Sequence, residues 1–105
     1  MTRPTDNWKN IERKVAAIIG GVRVPVTGRS RGDAPDIAHE RLAIEVKAWA
    51  KVPASLREPM AQARAAVRGT AVPLVVLHQA GDRAGDALCL FRLEDLARLM
   101  GETEE

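Results

Sequence analysis

The sequence predicts one small α/β (α+β) domain, a mixed central sheet flanked by helices in the order α-β-β-β-α-β-β-α. Three observations carry that prediction. Apolar residues recur at helical spacing near both ends and in the middle of the chain. Short runs rich in Val, Ile and Leu, bounded by Gly, Pro or Asp, lie between them. A length of 105 residues with 46% hydrophobic content supports a single core and leaves no room for a second.

Thr5 or Asp6 can cap a first helix that runs to about Ile19, where Gly20-Gly21 stops it. Its apolar stripe is Trp8, Ile11, Val15, Ile18 and Ile19, and Glu12 lies inside that stripe. A carboxylate there is costly to bury unless it is paired or bound to metal. Access to solvent, or an arginine partner, is the plain alternative. Residues 22–26 form a short strand with Arg23 on one side, and 27–34 form a polar, glycine-containing loop.

Next comes the most informative stretch, 35–47. Residues 36–39 and 42–48 read as the two strands of a hairpin turning at Glu40-Arg41. A two-residue turn there sets Ile37 opposite Ile44 and Asp36 opposite Glu45. Side chains alternate between the faces of a strand. Leu42, Ile44 and Val46 therefore take the core face, while Asp36, Glu45 and Lys47 share the other. Like charges directly opposite each other destabilise a sheet. A cation between them would turn that cost into a binding site.

After a connection over 49–53, Pro53-Ala54-Ser55 starts a second helix, about 55–68, which buries Leu56, Met60, Ala63 and Val67. Arg57, Arg64 and Arg68 fall on one flank of it. Leu74-Val75-Val76-Leu77, within a strand over 73–79, is apolar on both faces and reads as an interior strand. A Gly/Asp turn at 80–86 leads to a strand at 87–92 and a closing helix at 93–100. The tail, 101–105, is acidic.

Composition excludes several classes. The net charge of +2 does not by itself announce nucleic-acid binding, although the acidic tail leaves the remainder more basic. One cysteine, Cys89, rules out an intramolecular disulfide framework and fits a reducing cytosol. No run reaches transmembrane length and the N-terminus lacks a signal-peptide core, so a soluble cytoplasmic protein is expected. His39 and His78 have no Cys or His at ligand spacing, which argues against zinc. Cys89 and Trp8 read as core. Trp49 reads as core, a dimer contact or a base-stacking platform, in that order.

Glu12, then Pro35-Asp36, then Glu45-Val46-Lys47, in an α-β-β-β-α-β order, resembles the PD-(D/E)xK nuclease superfamily. The closest branch is the archaeal-type Holliday junction resolvases, including small phage-encoded versions, which would work in the host cytoplasm. The likeness spans roughly 8–77. It implies a restriction-endonuclease-like core and a Mg²⁺-dependent endodeoxyribonuclease, with Mn²⁺ as a substitute. Asp36, Glu45 and the main-chain carbonyl of Val46 would be metal ligands, and Glu12 would bind the metal directly or through water. Lys47 would position the attacking water or offset phosphate charge. Asp33 competes for the aspartate role, but hairpin parity favours Asp36. Arg29, Ser30 and Arg31 would contact phosphates, as would Arg57, Arg64 and Arg68. Gln62 echoes a glutamine that some branches use near the lysine. The implied substrate is branched DNA, foremost the four-way junction, cut by paired symmetric incisions in a homodimer. Leu90, Phe91, Leu96, Leu99 and Met100 are the apolar candidates for its interface. A flap-type nuclease, or a non-catalytic DNA-binding protein on the same fold, stands as the alternative.

Overall fold

A computed structural model describes residues 4–25 and 34–101 of the chain. It is a small α+β protein with three helices and two antiparallel sheets. The elements run α1 (Pro4–Ile19), β1 (Val22–Arg23), β2 (Ile37–Ala38), β3 (Ala43–Ile44), α2 (Ala54–Ala65), β4 (Val75–Leu77), β5 (Leu88–Leu90) and α3 (Leu93–Leu99). A 3-10 turn at Ala84–Asp86 separates β4 from β5. That order is the one the sequence predicts.

The sheet is where structure and expectation part. Among the described residues, β1-β2-β3 form one antiparallel sheet and β4-β5 a separate ribbon, in place of one mixed sheet. β4 is therefore no interior strand, and Val76 is 57% exposed. An apolar run announces that a segment avoids water, but not which neighbour will cover it. Cys89 follows the same correction: it pairs across from Val76 and is exposed rather than core.

Helix α1 begins at Pro4, one or two residues before the predicted caps; proline is harmless in a first turn because its missing N–H would be unpaired there anyway. At the other end Gly20 takes a φ of 78°, and the Gly21 N–H donates to the Ala16 carbonyl at 2.9 Å. This is a Schellman termination, in which glycine adopts the left-handed conformation without a Cβ penalty. Gly21 then lets the chain pass close under β2. A Cβ at that position would sit 2.6 Å from Ile37 Cγ2 and 2.7 Å from the Ala38 carbonyl oxygen.

The helix presents Glu12, Ala16 and Ile19 inward, while Ile11 and Ile18 are 40% and 43% exposed. The buried face is thus centred between two of the predicted stripe residues, and Glu12 stands in the middle of it. Ala16, Ile19, Ile37 and Ala97 form the buried centre, with Val15, Leu42, Ile44, Val46, Leu93 and Leu96 packed around it. Leu42, Ile44 and Val46 fall on the core side as the alternation requires.

Helix α2 is held more loosely. None of its residues is fully buried, although Leu56, Met60 and Ala63 are half-covered. It ends at Ala65, short of 68, and the Arg68 guanidinium donates to the carbonyls of Val67 (2.8 Å) and Ala65 (3.4 Å). The hairpin turn is tied to α3, since the Arg41 guanidinium donates to the Met100 carbonyl at 2.9 Å. No helix among the described residues is long and apolar enough to cross a membrane.

Candidate functional site

The three-stranded sheet assembles the site. Cross-strand partners are Val22–Ala38 and Arg23–Ile37 between β1 and β2, and Ile37–Ile44 and Ala38–Ala43 between β2 and β3. The Ile37–Ile44 pairing is the register that a two-residue turn at Glu40-Arg41 predicts.

Asp36 sits one residue before β2, and its backbone is held from both sides. Its N–H donates to the Ile44 carbonyl at 2.9 Å, and its carbonyl accepts from the Val24 N–H at 2.8 Å. Beyond Ile37 the ladder shifts by one residue, so Asp36 is not the cross-strand partner of Glu45 that a regular two-residue hairpin predicts; its N–H meets the Ile44 carbonyl and its Oδ2 accepts the Val46 N–H at 2.7 Å. Asp36 is only 6% exposed. A carboxylate fixed against a main-chain amide cannot swing freely, which is how a ligand or base is pre-oriented. It is fixed beside the Glu45–Lys47 segment.

Glu45 and Lys47 are exposed and alternate with Ile44 and Val46, which pack toward the core. Neither side chain makes an ion pair or hydrogen bond among the described residues, so they are not simply paired with each other.

Glu12 occupies the opposite side of the hairpin. Arg23 and Ile37, as cross-strand partners, share the face turned to α1. On that face Arg23 Nε donates to Glu12 Oε1 at 2.7 Å. The guanidinium also lies 5.8 Å from the centroid of the Trp8 ring, a cation–π contact. Trp8 is half-buried by this stack. Glu12 itself is fully buried, and its second oxygen, Oε2, has no hydrogen-bond partner among the described residues. Arg23 is the residue that sequence reasoning left without a role. Its signal was position: it is the first cation after α1, on a strand next to a helix with a carboxylate in its apolar stripe.

The predicted residues thus fall into two groups. Asp36, Val46, Glu45 and Lys47 gather along one hairpin, and Glu12 stands across it with Arg23. Among the described residues no three Asp, Glu, His or Cys side chains stand close enough to hold one metal ion. Two carboxylates suit Mg²⁺ nonetheless, because that ion keeps several waters and completes its shell with substrate phosphate. Asp36 and Glu45 supply hard oxygen donors of the right kind. The orphaned Glu12 Oε2 is a buried acceptor still in need of a water, a proton or a cation.

Arg57 and Arg64 are exposed and line an open groove of about 410 Å³ over Leu56, Met60 and Phe91. Arg68 is occupied by the helix carbonyls described above, which directs its guanidinium to the chain itself. Arg29, Ser30, Arg31 and Asp33 lie outside the described residues, as do the four terminal residues of the acidic tail. His39 Nδ1 accepts the Arg41 N–H at 3.0 Å, and His78 Nε2 bonds the Asp82 carbonyl at 2.8 Å, so both imidazoles have turn-shaping roles. The chain matches no protein-family model, no curated protein and no solved structure.

Proposed function

We propose that the protein is a metal-dependent, structure-specific DNA endonuclease of the PD-(D/E)xK type, with four-way junctions as its first substrate class. One observation carries the reading: the hairpin fastens the Asp36 carboxylate to the Val46 amide at 2.7 Å, inside the Glu45-Val46-Lys47 segment. A binding-only protein has no use for two carboxylates carried on one hairpin, where they repel the phosphates of DNA.

Asp36 and Glu45 would hold a Mg²⁺ or Mn²⁺ ion, and the main-chain carbonyl of Val46 is the further donor the family resemblance implies. When bound, such an ion would supply Lewis-acid polarisation of the phosphodiester and a more acidic water. The Lys47 ammonium, exposed and without an ion pair among the described residues, offsets the charge of the incoming phosphate and orders the water next to it. Asp36 keeps its orientation through the Val46 N–H. Arg57 and Arg64 contribute phosphate contacts that fix the strand without reading its sequence. Symmetric incision of a junction calls for a C2 homodimer.

The test is cleavage of a labelled four-way junction, alongside linear duplex and a 5′-flap, in Mg²⁺ and in EDTA. Asp36→Asn is the informative variant, because the amide oxygen still accepts the Val46 N–H and the hairpin survives. Paired nicks on the junction that vanish in EDTA and in Asp36→Asn are expected. Cleavage chiefly of the flap or duplex moves the protein to another nuclease branch. A folded protein that binds the junction and never cuts it returns the reading to a DNA-binding protein.

A further inference from the structure

The chain has three aromatic side chains, and two are packed. Trp8 is half-buried with its ring against Arg23, and Phe91 is half-buried beside α2. Trp49 is 60% exposed, and its indole makes no hydrogen bond or ring contact among the described residues. The sequence places Trp49 in the core first; the structure leaves it in water.

Its neighbours give the exposure a direction. Lys47 and Lys51, two residues to either side, are exposed and make no ion pair among the described residues. Chain geometry keeps the Cα of each within about 7 Å of the Cα of Trp49. Ala48 and Ala50 between them are also exposed and add little apolar area. A protein-docking patch would be built from contiguous large apolar groups, and this segment has one indole flanked by ammonium groups. That arrangement is complementary to a strand with a flat π-face and a phosphate on each side. Duplex bases are stacked on one another and offer no such face, whereas unpaired bases do.

We infer that Lys47, Trp49 and Lys51 form a platform for an unpaired nucleotide of single-stranded or branched DNA, the base stacking on the indole and the two ammonium groups meeting its flanking phosphates. The inference rests on the nuclease reading only for what the strand is brought to meet. The platform follows directly on the hairpin that carries Asp36 and Glu45, so a base splayed onto Trp49 brings the adjoining phosphodiester to those carboxylates.

The experiment is a fluorescence and affinity titration in EDTA with oligo(dT) and with a blunt duplex of equal length. Wild type, Trp49→Phe and Trp49→Ala are compared. Oligo(dT) should quench the wild-type emission, and the quench should be absent in Trp49→Phe, where only Trp8 reports. Affinity for oligo(dT) should fall about 5- to 150-fold in Trp49→Ala, the equivalent of one lost base stack. Trp49→Phe, which keeps a ring, should lose less than about threefold on the same scale. Duplex affinity should be the same in all three. Failure of the wild type to bind oligo(dT), unchanged affinity in Trp49→Ala, or a quench that persists in Trp49→Phe would each overturn the platform. EDTA separates this from the nuclease reading. Stacking with no incision in Mg²⁺ keeps the platform and removes the enzyme, and incision with unaltered oligo(dT) binding does the reverse.

Discussion

Glu12 and Asp95 are both carboxylates that the fold takes out of water, and it treats them in opposite ways. Asp95 is 7% exposed and has a guanidinium on each oxygen: Arg98 on Oδ1 at 3.3 Å and Arg92 on Oδ2 at 3.5 Å. It also lies in the first turn of α3, where the helix dipole favours an anion. Both arginines reach solvent, and Arg98 spends another donor on the Thr70 carbonyl, tying α3 to the segment after α2. Glu12 lies inside α1, where the dipole gives no help. Among the described residues it has one guanidinium, at a short 2.7 Å, and no partner on its second oxygen. Asp95 is a closed structural contact. Glu12 is an open one, kept at a cost that an apolar pair in place of Glu12 and Arg23 would avoid.

Removing each group tests that contrast, and Glu12→Ala should have the largest effect. It leaves the Arg23 charge without a partner at a side chain only 17% exposed. The expected loss is about 3 kcal/mol, the low end for breaking a buried pair, because Arg23 keeps its stack on Trp8. Glu12→Gln retains an acceptor for Arg23 Nε and should lose about 1 kcal/mol. The double change Glu12→Leu with Arg23→Met should recover most of the loss, since an apolar pair of similar volume is as stable as a buried ion pair. Urea unfolding reads all three. Recovery of stability together with loss of Mg²⁺-dependent cleavage would place the value of Glu12 in chemistry. A Glu12→Ala protein as stable as wild type would abolish the contrast with Asp95.

Much of the Glu12 side of the molecule was legible in the sequence. The Ile37–Ile44 register followed from one short turn and from strict alternation along Leu42, Ile44 and Val46, both local properties. The order of elements followed from local periodicity in the same way. The centre of the α1 face was harder to see, because Ala16 carries little hydrophobic signal although it is 6% exposed, whereas Ile11 and Ile18 carry much and face outward. Partners distant in sequence were not legible. Glu12 called for a cation, but only the packing of α1 on β1 selects Arg23. The pairing of β4 with β5, and not with β3, depends on which edges meet in space. The exposure of Cys89, Val76 and Trp49 depends on the same fact.

The contrast can be sharpened through backbone packing as well. Gly21 permits the close approach of the α1–β1 connection to β2, next to the face on which Glu12 is buried. In Gly21→Ala the new methyl meets backbone at the Ala38 carbonyl, which cannot turn aside as a side chain would. A loss of about 1–3 kcal/mol is expected, the range for overpacking. Hydrogen exchange should locate the loosening at 12–23 and 36–38, with the α3 amides around Asp95 slowed as before. Equal loss of protection at α3 would mean that the two carboxylates share one cooperative unit and are not separately held.

Asp95→Asn should have the smallest effect, and its salt dependence identifies the kind of interaction. The amide keeps the shape and one acceptor, while both guanidinium partners are well exposed, at 36% for Arg92 and 47% for Arg98. Such ion pairs are worth about 0.5–1 kcal/mol, because water screens them and two long side chains must be ordered. The difference between Asp95→Asn and wild type should shrink toward zero at ionic strengths near ~1 M, where the Debye length falls to about 3 Å. The Glu12→Ala loss should persist under the same conditions, since counter-ions do not reach a fully buried carboxylate. A salt-insensitive loss at Asp95 would show that α3 holds its carboxylate as tightly as α1 does, and the contrast between a screened and a shielded carboxylate would fail.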